Sequence, residues 1–227
     1  MEKRLIWDLP TRLFHWLLVA SIFCLYATAE WMDDAVQWHF YLGYFTLGLI
    51  IFRVIWGFVG PTYARFSHFV KGPSAVFSYI KTLGKKDSAP STGHNALGGY
   101  AVVIMLIMIG LQAVSGLFMT DDIYLDGPYR HLVDESVLDV MNTMHHRVFD
   151  ILLWVIGFHI AAIVFYAVFK KQKLVPPMIH GKKQTQASGI SSSKLLLALV
   201  VALIVGFGLY YAIEIAPPAP AVEEFYY

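Results

Sequence analysis

The sequence predicts an all-α integral membrane protein: a bundle of four transmembrane helices followed by a fifth, C-terminal one. Three observations point there. Of 227 residues, 57 % are hydrophobic, too many for an ordinary soluble domain. Five stretches, approximately Leu13–Ala29, Phe40–Val59, Leu97–Met119, Val148–Phe169 and Leu195–Ile213, reach the roughly 17–25 residues that a hydrocarbon core demands. The connectors differ in charge: segments 1–12, 60–96 and 170–194 hold 14 of the 17 Lys and Arg, whereas 30–38, 120–144 and the tail after Ile213 hold only Arg130. By the positive-inside rule the N-terminus is cytoplasmic and the C-terminal tail lies outside.

The first span follows Lys3, Arg4 and Trp7-Asp8-Leu9-Pro10. It carries His15, a candidate ligand, so it reads as a retained span and not as a cleaved signal. In connector 60–96, Pro73 starts a short helix, and Val76, Phe77, Ile80 and Leu83 follow at intervals of three or four. Flanking Lys71, Lys81, Lys85 and Lys86 suit an amphipathic helix on the inner leaflet. Lys86 to Gly93 reads as a flexible turn. Val133, Val137, Val140, Met141 and Met144 form a helical stripe running into the fourth span, which therefore begins before the bilayer. Gln184–Ser193 is a polar linker, and the end with Pro217, Pro218 and Pro220 is extended. The expected division is a core over 1–182, a cytoplasmic linker over 183–194, and a fifth helix with an acidic outer tail over 195–227. No soluble domain, nucleotide-binding motif or feature suited to nucleic acid is present.

The histidines carry the functional reading. His145 and His159 lie fourteen residues apart on one apolar helix, which is about 1400°, within about 40° of four turns, with a rise of about 21 Å. Both therefore face the same side, one near each membrane surface. His39 opens the second span at the depth of His145, and His15 lies near the inner end of the first span at the depth of His159. A lone histidine in an apolar helix is ordinarily a packing or hydrogen-bonded residue. Two pairs at complementary depths are what bis-imidazole ligation of two stacked low-spin haems requires of a helical bundle. Cys24 is the one cysteine, and Cys-x-x-Cys-His is absent, so such haems would be b-type. His146 is the alternative to His145, being thirteen residues from His159 and about 60° short of four turns. His68, His131 and His180 read as exposed loop residues, and His94, at the inner mouth of the third span, as a helix-start hydrogen-bonding group, with a proton or quinone role as the alternative.

Arg53 follows His39 by fourteen residues, on nearly the same face, and its charge is costly at such a depth. Two readings stand equal: a partner for a haem propionate, or snorkelling to the inner headgroups. Asp150 is either an acceptor behind a ligand histidine or a partner of Arg147. Gly43, Gly48, Gly110, Gly116 and Gly157 permit close approach of helices or of a flat ring, Gly157 beside His159 in particular. Trp7, Trp16, Trp31, Trp38, Trp56, Tyr210 and Tyr211 lie near the expected interfaces, and most of them read as belt residues and not as an electron path.

Several stretches carry a family resemblance: Trp7-Asp8-Leu9-Pro10-Thr11-Arg12-Leu13-Phe14-His15-Trp16, His39-Phe40-Tyr41-Leu42-Gly43, Phe52-Arg53-Val54-Ile55-Trp56-Gly57-Phe58-Val59-Gly60-Pro61, Gly93-His94-Asn95, and the His145 to His159 pattern. Over about residues 5–182 the chain resembles the prokaryotic cytochrome b561 family, which includes the b-type haem subunits of membrane-bound nickel–iron hydrogenases. The resemblance implies a four-helix dihaem core in the bacterial inner membrane, exchanging electrons with quinone (ubiquinone or menaquinone) and often with a periplasmic redox partner. Carried onto these positions, His15 and His159 ligate the inner haem, and His39 and His145 the outer one. Two features depart from the pattern: His146, where the family often has an acidic residue, and the fifth span with its acidic tail.

The outer segments carry Glu30, Asp33, Asp34, Asp121, Asp122, Asp126, Asp134, Glu135, Asp139, Glu214, Glu223 and Glu224 against Arg130. Such a face attracts a basic patch, which suits a lysine-rimmed c-type cytochrome or a partner subunit. The expected function is dihaem electron transfer between quinone and that partner, in a dimer or larger complex among membrane lipids. The enzymatic alternative is a stand-alone quinone-linked oxidoreductase such as a superoxide oxidase.

Overall fold

In the computed structural model, residues 2–85, 90–123 and 125–217 are described; Lys86, Asp87, Ser88 and Ala89 of the expected turn, and Pro218, Pro220, Glu223 and Glu224 of the tail, lie outside them. Among the described residues five helices have the length and hydropathy to cross a membrane, and the chain is a multi-pass membrane protein.

Side-chain caps mark where three of these helices begin. Helix α1, Leu9–Glu30, starts four residues before the apolar stretch because the Asp8 carboxylate accepts from Thr11 N at 2.9 Å. Pro10 sits in the first turn, where a missing N–H costs nothing. Helix α2, Val36–Val59, stops before Gly60-Pro61. The short α3, Phe66–Phe69, and α4, Pro73–Ile80, follow; α4 opens at Pro73 as expected and leaves Phe77 exposed. Helix α5, Ala96–Ser115, is capped by the Asn95 carboxamide, which accepts from Gly98 N at 2.6 Å. Helix α6, Glu135–Val168, has 34 residues, about 51 Å, against a hydrocarbon core of about 30 Å. Its first turns, capped by Asp134, therefore project beyond the bilayer, in line with the Val133–Met144 stripe. Helix α7 is Val175–His180, and α8, Leu195–Tyr210, ends in a π-helical turn over Tyr211–Ile215.

Helix α1 packs along α2, α2 along α5 and α5 along α6, whereas α1 and α6 have no comparable backbone contact. A seam thus runs between α1 and α6, bridged at one end by Tyr26 stacked on Phe149 with ring centres 6.0 Å apart. Phe14, Ile50, Leu106, Ile109 and Leu152 give all four helices a single shared core. Helix α8 stands outside that core, against α2. Gly48 is what lets it approach, since a Cβ there would lie 2.9 Å from Leu209 Cδ1. Lys194 Nζ donates to Val59 O at 2.9 Å, and Tyr129 OH to Ala212 O at 2.6 Å, pinning the two ends of α8.

The all-α expectation needs one correction. Strand β1, Glu2–Leu5, pairs antiparallel with β2, Lys182–Thr185, so the N-terminus and the start of the expected linker form a two-stranded ribbon. These polar segments lie beyond the apolar spans, where water satisfies the open edges that lipid would not. Ile6 N and Trp7 N both donate to Gly181 O, at 2.9 and 3.0 Å, from a left-handed turn (φ 81°) that favours glycine. Tyr63 OH donates to Ser188 O at 2.7 Å and Ile190 N to Leu5 O at 2.8 Å, folding residues 182–190 back over the basic end of the bundle. Ile6, Trp7 and Tyr63 form a core of their own beneath this cap. Trp7 and Trp56 are therefore buried structural residues, while Trp31 and Trp38 are exposed as belt residues are.

Candidate functional site

At the acidic end of the bundle, His39 in the first turn of α2 faces His145 of α6. Their ring centres stand 6.4 Å apart with planes at 73°. His39 Nδ1 lies 3.1 Å from Leu25 O and 3.2 Å from Thr28 Oγ1. His145 Nδ1 lies 3.1 Å from both Gln112 O and Ser115 Oγ. A carbonyl can only accept, so each Nδ1 carries the proton and each Nε2 keeps a free lone pair. Gly116 leaves room for the ring, because a Cβ there would meet His145 Cε1 at 3.3 Å.

These rings would suit a shared metal: each offers an Nε2 lone pair, and their centres are 6.4 Å apart. Among the described residues no group of three or more His, Cys, Asp or Glu converges as it would on a bare ion. A pair of imidazoles would suit a haem iron, which asks the protein for two donors at most.

His146 does not share this arrangement. It is exposed, and its ring stands 6.0 Å from that of His145, edge-on. Asp150 is exposed as well, and the acceptors behind His145 come from α5 instead. Thr28, Gln112 and Ser115 were missed from the sequence. Their signal was a hydroxyl or amide in an otherwise apolar helix at the depth of a histidine.

At the basic end, His15 of α1 and His159 of α6 are electrostatic neighbours without ring contact. His15 Nδ1 is buried and has no hydrogen-bond partner. Arg53 does not snorkel: it is 2 % exposed, and its Nη2 donates to Ala64 O at 3.1 Å. Its guanidinium lies 5.2 Å from the Phe66 ring centre and 5.7 Å from that of Phe69. Its Nη1 is buried without an acceptor, as expected of a donor awaiting an anionic group. The nearest counter-charge is Asp8, whose oxygens are already engaged by Thr11 and by Trp56 Nε1 at 3.0 Å.

His94 is not the α5 cap, a role taken by Asn95. Its ring packs between Trp7 and Phe69, with centres 4.8 and 5.0 Å away. Burial first, and then the Arg53 charge, pulls its pKa down to about 3, so it stands neutral beside the basic-end histidines. His131 is exposed and 3.2 Å from Asp126; His180 is exposed; His68 packs on Tyr63. Gly157 faces away from His159, being two residues and about 200° round the helix, and is exposed with open space about it. It makes no room for a ring at that site.

Known proteins are similar to this chain over most of its length. The family described as prokaryotic cytochrome b561 matches residues 6–181. Among curated proteins, the chain is 22 % identical over 222 residues to the probable Ni/Fe-hydrogenase 1 B-type cytochrome subunit of Escherichia coli (strain K12), covering 83 % of this chain and 94 % of that one. It is also 22 % identical over 213 residues to the probable Ni/Fe-hydrogenase B-type cytochrome subunit of Rhizobium leguminosarum bv. viciae, covering 78 % and 87 %. No solved structure gives a significant match.

Proposed function

The chain belongs to the prokaryotic cytochrome b561 family, and on that premise we propose that it is a dihaem b-type cytochrome carrying electrons between membrane quinone and a redox partner on the acidic side. The observation that carries this reading is the His39–His145 pair, 6.4 Å between ring centres with each Nδ1 turned to a carbonyl. His39 and His145 would hold one haem and His15 and His159 the other. Arg53 Nη1 would take a haem carboxylate at the basic end. Bound haem supplies one-electron chemistry at its iron.

The protein's own residues orient and insulate. Leu25 O and Gln112 O set the tautomer and rotation of two imidazoles, and the basic-end cap of β1, β2, Trp7 and Tyr63 closes that end over. The positive-inside rule places the basic end in the cytoplasm of a bacterium and the acidic end in the periplasm. The relatives are named as hydrogenase cytochrome subunits, which supports a partner subunit docking there. Exposed Glu30, Asp33, Asp34, Asp122, Glu135 and Asp139 suit a basic docking patch.

The test is a haem-to-protein ratio with reduced-minus-oxidised spectra for alanine variants at His15, His39, His145, His146 and His159. Two haems are expected in the parent, one in each of the His15, His39, His145 and His159 variants, and two in His146→Ala. Loss of a haem from His146→Ala with retention in His145→Ala overturns the ligand assignment. Fewer than two haems in fully loaded parent protein overturns the function.

A further inference from the structure

The surroundings of the two histidine pairs differ in two independent respects, and both act in one direction. At the acidic end each Nδ1 donates to a carbonyl and also meets a hydroxyl. Those hydroxyls are committed to their own helices: Thr28 Oγ1 donates to Cys24 O at 2.9 Å and Ser115 Oγ to Gln112 O at 2.9 Å. Their lone pairs therefore face the imidazole N–H. An imidazole that shares its Nδ1 proton with such acceptors is a more basic ligand at Nε2 and favours the oxidised, more positive metal. At the basic end His15 Nδ1 is buried with no acceptor at all. There, too, Arg53, whose charge acts on His94 together with His15 and His159, is 2 % exposed and, among the described residues, forms no ion pair. A buried cation in a poorly polarisable surrounding favours the reduced state of a nearby centre. Among the described residues no buried cation stands at the acidic end, where the carboxylates face only Arg130, paired with Asp126, and the exposed Arg147.

We propose that the two centres are built unequal, with Thr28 and Ser115 lowering the reduction potential at the His39/His145 pair and Arg53 raising it at the His15/His159 pair. The inference rests on the dihaem reading above and adds an order to it: electrons run downhill from the acidic end to the basic end. Removing the Arg53 charge moves the basic-end potential the same way whether or not that charge faces a haem carboxylate.

Potentiometric titration of the purified, two-haem protein, followed optically, tests the order. In the parent, two one-electron steps are expected. Ser115→Ala and Thr28→Ala each raise the lower step by about tenfold in its equilibrium constant, about 59 mV, and leave the upper step in place. Arg53→Gln lowers the upper step by a similar factor, and Arg53→Lys, which keeps the charge, restores most of it. Coincident steps in the parent, or a shift of the upper step by Ser115→Ala, overturns the proposal. If Arg53→Gln fails to hold its haem, the hydroxyl variants decide alone. A parent with two haems and the reverse order sinks this inference and spares the dihaem reading, whereas a parent with fewer haems sinks that reading itself.

Discussion

Asp8 joins α1 to α2 at one buried carboxylate, and its removal has a cost that can be worked from its contacts. The residue is 0 % exposed. Its Oδ1 accepts from Thr11 N at 2.9 Å and from Trp56 Nε1 at 3.0 Å, and its Oδ2 from the Thr11 hydroxyl at 2.8 Å. Asp8→Ala loses the helix cap, about 1 kcal/mol, strands a buried indole N–H, about 2 kcal/mol, and frees a buried hydroxyl, about 1 kcal/mol, for a loss near 4 kcal/mol. Asp8→Asn is milder. Its amide oxygen, placed as Oδ1, still accepts from Thr11 N and Trp56, so the loss is about 1–2 kcal/mol, chiefly of charge. Unfolding in mixed detergent micelles, followed by circular dichroism, measures both. Because α1 takes its start from Asp8 and places His15 two turns later, occupancy of the proposed basic-end haem should fall in the alanine variant as well. Trp56→Phe completes a double-mutant cycle, and the double variant should cost less than its two singles combined by about 1–2 kcal/mol. Additive singles, or an Asp8→Ala loss below about 1.5 kcal/mol, refute the account of this site.

Two further outcomes follow from particular contacts. At Gly57 a Cβ would lie 2.0 Å from Phe66 Cε2, and Phe66 covers Arg53; at Gly43 nothing stands within 4 Å. Gly57→Ala should destabilise by about 1–3 kcal/mol and Gly43→Ala should stabilise by about 0.5–1 kcal/mol in the same unfolding assay, and equal effects would contradict the packing. The pH behaviour of the haem-free protein should report His94, whose pKa is about 3 when folded against 6.5 otherwise. Below about 6.5 the unfolded chain takes up a proton that the folded chain refuses, so stability falls as pH drops from about 6.5 toward 3. His94→Gln should flatten the decline in thermal midpoint between pH 7.5 and 5; an unchanged slope would mean that His94 is not held neutral.

Much of the candidate site is legible in the chain, because helical periodicity and hydropathy report depth and face. Fourteen-residue spacing aligns His145 with His159, and antiparallel threading sets His39 opposite His145; the structure brings that pair together. What stays hidden is rotation about each helix axis and the course of the backbone in neighbouring helices. Sequence spacing left His145 and His146 about 100° apart as rivals, and only the packing of α5 against α6 placed Gln112 O and Ser115 behind His145. Arg53 is the sharpest example. Its position admits lipid headgroups or the interior equally, and the choice depends on Phe66, Phe69 and Ala64, which the chain returns to that spot after leaving the bilayer.

Membrane crossing, five spans, charge asymmetry and the depths of four imidazoles come from the one-dimensional order of residues, since a bilayer reads length and polarity along the chain. Which nitrogen is free, which cation is buried, that Trp7 and Trp56 are core, and that residues 2–5 pair with 182–185 come only with the three-dimensional fold. Those are properties of contact between segments far apart in the chain, where a rotation of a few tens of degrees turns a ligand toward lipid.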